Sequence, residues 1–276
     1  MLAMSPDMAA LCASIGTPLA HRSGASGPFT GSSMTAGAGS GGQRVGDEPA
    51  FLLHMVPYRE TSLVVDLFSR NHGRIGAVAK GAKRPRSALR AVLLQFQPLA
   101  VGWSGRNELR TLTGAEWRGG LTSPAGQALL SAFYMNELLI RLLPREDPHP
   151  MLFDGYETAL GALSDGASID ETLRRFEWLL LRETGYAPDL AHDAEGRPIT
   201  AHADYAWSPG GGFRPALAGE GGTAVSGRTL IALDSGQFEN PDSRQQAKYL
   251  TRAVLASHLD GAQLNTRQIL MDLQRL

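Results

Sequence analysis

The residues best placed to do chemistry are positively charged. Positions 80–90 read KGAKRPRSALR, five bases with no acid among them. Across residues 51–110 the bases are Arg59, Arg70, Arg74, Lys80, Lys83, Arg84, Arg86, Arg90, Arg106 and Arg110, set against Glu60, Asp66 and Glu108. The formal net charge of the whole chain is −1, so the remainder is acidic. A run of this kind does not break bonds. It can follow a phosphate backbone, because each neutralised phosphate releases condensed counterions. The competing reading is an ordinary solvated surface run. Segregation of charge between parts of one chain favours the nucleic-acid reading. The candidate contacts are Arg59, Arg74, Lys80, Lys83, Arg84, Arg86 and Arg90, with Arg106 and Arg110 as the fallback.

Other chemistries find less support. Gly76 and Gly81 have P-loop spacing, but Ala82 and Lys83 follow where the motif needs Lys and then Ser or Thr. Gly102-Trp103-Ser104-Gly105 approaches a nucleophile elbow, yet Arg106 stands where the second glycine belongs. The only cysteine, Cys12, has no neighbouring base to activate it, and one cysteine allows neither a disulfide framework nor a cysteine-rich zinc site. His192, Asp193, His202 and Asp204 flank an irregular stretch without metal-ligand spacing and read as surface residues. Glu146 and Asp147 read as a turn rather than an acid–base pair. Trp103, Trp117 and Trp178 sit in patterned segments and read as core, with base stacking the alternative for Trp103. No metal, cofactor or catalytic residue is expected.

These residues need a scaffold. A chain of 276 residues with 43% hydrophobic residues can bury a substantial core. It has no apolar run long enough to span a membrane. Residues 1–46 hold nine glycines and seven serines without periodicity. They read as a disordered tail, or as leader sequence upstream of a start at Met34; the first reading is preferred. Residues 47–122 carry five strand-like segments, at 51–56, 63–68, 74–79, 99–103 and 109–116, separated by turn signals. Five short strands suggest a small barrel of the OB type. From Pro124 the period becomes helical, with helices expected near 124–143, 150–163, 168–185, 226–233, 242–259 and 265–276. The stretch at about 187–225 is an irregular insert with strand candidates at 205–208 and 212–214. The expected fold is therefore α+β: an N-terminal OB-fold β-barrel over 47–122, then an α-helical domain over 123–276.

Several stretches carry a family resemblance. They are YRETSLVVDLFSRNHGRIGAVAKGAKRPRS, LQFQPLAVGWSGRNELRTLTGAE, SAFYMNELLIRLL, LRRFEWLLLRETGY and, near the C-terminus, LNTRQIL. Together they resemble the RecO family of DNA repair proteins from about Asp47 onward, loosely over 187–225. The resemblance implies a barrel followed by a helical domain and a cytoplasmic, nucleoid-associated protein. It implies a recombination mediator without turnover that binds single- and double-stranded DNA and anneals complementary strands. It also implies work with RecR, and with the single-stranded DNA-binding protein, to load RecA. Some members hold a four-cysteine zinc site in the insert, and this chain has no cysteine there.

The single-stranded DNA-binding protein ends in an acidic, apolar-tipped tail, so its receptor needs an apolar cleft beside guanidinium groups. The first and third helices offer Tyr134 and Leu138 facing Leu173 and Phe176, rimmed by Arg141, Arg174 and Arg175. The competing reading pairs these arginines with Glu171 or Glu177. Two further functions stay open: a general single-stranded nucleic-acid module without mediator activity, and an enzyme built on the insert.

Overall fold

The structure, a computed structural model, describes residues 44–217, 224–238, 240–259, 263–266, 268 and 269. Residues 1–43, with Cys12 and nearly all of the expected tail, lie outside the described residues, as does most of the expected helix over 265–276.

All five strand-like segments form strands: β1 (Arg44–Tyr58), β2 (Ser62–Ser69), β3 (Gly73–Ala79), β4 (Pro98–Ser104) and β5 (Leu109–Trp117). They close a barrel in the order β1-β2-β3-β5-β4. The closing step is the parallel pairing of β3 with β5, Gly76 opposite Leu109 and Val78 opposite Thr111. This is the OB-type barrel expected. β1 opens at Arg44, within the glycine-rich stretch, and bulges between Val45 and Glu48, where Asp47 has a φ of 53°. The same strand pairs with β4 through its first half and with β2 through its second. Inside the barrel pack Leu52, Val65, Leu67, Ile75, Leu99, Val101, Trp103 and Leu112. Between β3 and β4 a short helix, α1 (Ala88–Val92), packs against β5.

The helical region comprises α2 (Gln127–Leu142), α3 (Pro150–Ser164), α4 (Ile169–Glu183), α5 (Gly227–Ser235) and α6 (Pro241–His258). Pro124 does not open α2, which starts after Gly126 at a φ of 55°. Ser168 caps α4 by accepting from the Glu171 amide at 3.5 Å, as its spacing to Glu171 predicts. The insert carries a small sheet, β7 (Gly212–Pro215), β6 (Asp204–Ser208) and β8 (Ala224–Ser226) in that order, of which the third strand was not expected.

Barrel and helices share one core. Phe51 and Phe68, on the outside of β1 and β2, lie 5.2 and 5.4 Å from Phe153 of α3, and Phe51 meets Tyr156 edge-on at 5.0 Å. The wholly buried Asn136 of α2 donates to the Leu53 carbonyl at 3.0 Å and accepts from the Tyr156 hydroxyl at 2.5 Å. The linker between α2 and α3 lies along β3, with the Glu146 amide donating to the Arg74 carbonyl at 2.9 Å. Two glycines make room for it. A Cβ on Gly73, whose φ is 67°, would stand 2.1 Å from the Asp147 carbonyl oxygen, and one on Gly76 would stand 2.9 Å from the Arg145 guanidinium.

Candidate nucleic-acid interface

The outer surface of the barrel is built from rows of cross-strand partners. Val56, Val64, Val78 and Thr111 form one row across β1, β2, β3 and β5. Their chain neighbours Met55, Val65, Ala77 and Leu112 face the barrel core, so strand alternation turns the row outward. The next row is His54, Asp66, Gly76 and Leu109. Here Arg145 crosses Gly76 and meets Asp66 at 3.2 Å, narrowing the face from one end. The turn at residues 59–61 borders the face at one end and the turn at 105–108 at the other. In OB barrels these two connections, with strands 2 and 3 between them, form the oligonucleotide face.

The cations divide into two sets. Arg70 is bidentate to Asp154 at 2.8 and 2.9 Å, Arg110 meets Glu146 at 3.0 Å, and Arg74 faces Asp66 at 4.0 Å. The other seven bases of residues 51–110, Arg59, Lys80, Lys83, Arg84, Arg86, Arg90 and Arg106, are exposed, and none forms an ion pair with a described carboxylate. The segment 80–87 is a series of turns held in place rather than a free loop. Ala82 is buried in the barrel core, and the Lys83 amide donates to the Thr61 carbonyl at 2.9 Å. That bond sets the basic run beside the 59–61 turn, where the Arg59 guanidinium stacks 5.1 Å from the Tyr58 ring.

Of the seven candidate contacts, Arg74 is misplaced. Its side chain is 6% exposed and donates to the Ile140 carbonyl of α2, so it joins barrel to helix and faces no solvent. Arg110, half of the fallback pair, is likewise held inside, 6.0 Å from the Trp103 ring. Arg106 stays free. Trp103 and Trp178 are buried, as read, whereas Trp117 is 61% exposed, against the expectation of core. It is the last residue of β5, opposite Leu99 of β4 at the barrel rim, which accounts for this. Alternation alone does not reveal which paired positions lie at an open end of a barrel.

The expected apolar cleft between α2 and α4 is closed. Tyr134, Leu138 and Phe176 are core residues, and Leu173 packs against that core. Arg174 is buried and pairs with Glu177 at 2.5 Å, while the Tyr134 hydroxyl donates to the same Glu177 oxygen at 2.7 Å. Arg141 pairs with Glu137 at 3.0 Å, and only Arg175 is exposed, donating to the Gly236 carbonyl at 2.9 Å. The competing reading of Arg174 paired with Glu177 is the one that holds. A larger concavity of about 700 Å³ lies elsewhere, between the small sheet and α6, lined by Trp207, Val225, Tyr249 and Leu250. Its lining includes Asp242 and, among the described residues, no Lys or Arg, the wrong charge for an acidic tail.

In the insert, Asp193 accepts from the Glu195 and Arg197 amides and from the Arg197 side chain. His192 faces Asp189 at 3.0 Å. Among the described residues no three His, Cys, Asp or Glu side chains gather as metal ligands, and no helix is long and apolar enough to cross a membrane.

One titrating pair sits under the face. Burial lowers the His54 pKa from 6.5, and burial raises that of Asp66 above the usual carboxylate value despite Arg74 and Arg145. For His54 the unfolded chain binds the proton more tightly, so its effect is to lower stability as pH falls below about 6.5. Asp66 works the other way, costing stability as pH rises above its unfolded value. His54→Gln should therefore lose less thermal stability than the parent between pH 7.5 and 5.5. Parallel melting curves with equal slopes would contradict this.

A closed five-stranded OB-type barrel with exposed, uncompensated cations, fused to a helical bundle, defines a class: OB-fold proteins with an appended helical domain. Within that class the chain belongs to the RecO family. The family description "Recombination protein O N terminal" matches residues 46–121, and "Recombination protein O C terminal" matches residues 124–268. The chain is 50% identical over 235 residues to DNA repair protein RecO of Ralstonia nicotianae, covering 84% of this chain and 86% of that protein. It is 49% identical over 235 residues to that of Burkholderia pseudomallei, covering 84% and 86%. It is 47% identical over 236 residues to that of Laribacter hongkongensis, covering 84% and 97%.

Proposed function

We propose that this protein is a non-enzymatic recombination mediator of DNA repair. It lays single- or double-stranded DNA along the barrel and anneals complementary strands. With RecR it helps place RecA on DNA coated by the single-stranded DNA-binding protein. The observation that carries this reading is the set of seven exposed cations on the barrel without described carboxylate partners, beside a half-buried strand face. The name of its relatives, DNA repair protein RecO, supports the setting. The reading assigns no catalytic residue and no cofactor. It includes recognition of the acidic tail of the single-stranded DNA-binding protein, with receptor residues other than those packed between α2 and α4.

The test is annealing of complementary oligonucleotides with and without single-stranded DNA-binding protein, alongside binding titrations in salt. With four or five phosphates engaged, log affinity against log salt on single strands should have a slope of about −3. Lys83→Ala/Arg84→Ala/Arg86→Ala should flatten that slope by about two and slow annealing, on every sequence alike. An unchanged slope would put the interface elsewhere.

A further inference from the structure

Trp117 is an anomaly as a structural residue. Its ring is 61% exposed, yet its position is fixed: Nε1 donates to Gln97 Oε1 at 3.0 Å. Gln97 is itself 7% exposed and is held in turn by its amide, which donates to the Ser123 hydroxyl at 3.0 Å. A buried amide thus spends both its ends on orienting an indole that faces solvent. Trp117 pairs across β4 with Leu99, a core residue, so it stands at the barrel rim. The short helix α1, which carries Arg90, the last base of the 80–90 run, also packs against β5. Next in the chain comes Arg118, exposed and without an ion pair to any described carboxylate.

We infer that Trp117 is a stacking platform for an unpaired nucleobase, placed where a single strand leaves the basic run and crosses α1. The inference rests on the DNA-binding reading above and adds a strand-selective contact to it. An oriented, exposed ring on a barrel rich in unpaired cations suits a single strand, which presents a π-face at each base and a phosphate between successive bases. A duplex offers no such face, because its bases are already stacked on one another. The same pre-orientation costs little entropy on binding, since the ring is already held. The carboxylate of Glu116 does not compete, because strand alternation turns it to the other side of β5.

The test compares the full chain with Trp117→Ala, Trp117→Phe and the Lys83/Arg84/Arg86 triple alanine variant. Each is titrated with fluorescent oligothymidylate and with a duplex of equal length. Trp117→Ala should weaken oligothymidylate binding about tenfold and leave duplex binding unchanged. Trp117→Phe should retain single-strand affinity within about threefold, since a benzene ring still stacks. Quenching of tryptophan fluorescence by oligothymidylate should largely vanish in Trp117→Phe although binding persists. Unchanged single-strand affinity in Trp117→Ala, with the triple variant impaired, overturns the platform and leaves the barrel interface standing; the ring then belongs to a protein contact. Equal loss on single strands and duplex also overturns it. If the triple variant binds both ligands normally, the basic run itself is not the interface, whatever Trp117 does.

Discussion

Arg174→Ala should destabilise the chain by about 3–5 kcal/mol relative to the parent, while DNA affinity of the folded protein stays intact. The guanidinium is 3% exposed and Glu177 is wholly buried. Removing Arg174 leaves Glu177 with a single neutral donor, the Tyr134 hydroxyl. It also strips the Thr251 hydroxyl of a partner at 3.1 Å and frees the Lys248 carbonyl, untying α4 from α6. A buried carboxylate without a cation costs far more than the pair itself contributes. Replacing both residues at once, Arg174→Met with Glu177→Leu, should therefore recover most of the loss. Urea midpoints of the three chains make the measurement. A single variant as stable as the parent would mean that Arg174 is a surface charge after all.

Glu137→Gln should cost about 2–3 kcal/mol and loosen the C-terminal segment selectively. Every partner of this carboxylate is a donor. Arg141 and the Asn265 amide meet one oxygen, and the Thr266 amide and hydroxyl meet the other. Whichever way a glutamine amide is turned, its NH₂ faces donors and leaves at least one of them buried without an acceptor. Glu137 is wholly buried, so water cannot repair the loss. Hydrogen exchange should accelerate at residues 263–269 well before it changes in the barrel. Uniform acceleration across the chain would show that Glu137 supports the core in general and not this segment.

The barrel was legible in the sequence because its strands alternate and its turns are punctuated, each signal being local. Closure was not, since the parallel partnership of Gly76 with Leu109 joins segments whose patterns carry no mark of one another. Residues 44–46 read as tail because a glycine-rich stretch resembles a tail until β4 is there to pair with it. In the helical region the four-residue repeat of α2 located the helix and understated its burial. From Ser131 to Ile140 every residue of α2 is buried, including Asn136 and Glu137, so there was no polar face to mark a solvent side. For the same reason an apolar stripe flanked by arginines looked like a cleft. An arginine three residues before a glutamate fits an exposed helix pair and a core pair equally well, and only the packing of α6 decides between them. The basic run was the most legible part of the candidate site, because uncompensated charge seldom packs inward. Arg74 is the exception, and what drew it inward is the Ile140 carbonyl, distant in sequence.

The junction where Phe51 and Phe68 meet Phe153 and Tyr156 bears on how the protein comes apart. The two family matches meet near residue 122, which invites cutting the gene there. A barrel severed at that point would expose Phe51, Leu53, Phe68 and Phe96, all of them less than 5% exposed in the whole chain. It would also leave the Leu53 carbonyl without the Asn136 amide. Such a fragment should be sticky and marginal, and a calorimeter should record the intact chain melting in one cooperative transition. Under the proposed function, DNA held on the barrel is then carried by the same folding unit as anything held by the helices. On the proposed function, handing a strand from one surface to the other then comes from the strand or the partner moving, because Phe51 and Phe68 pack the barrel onto Phe153 of α3.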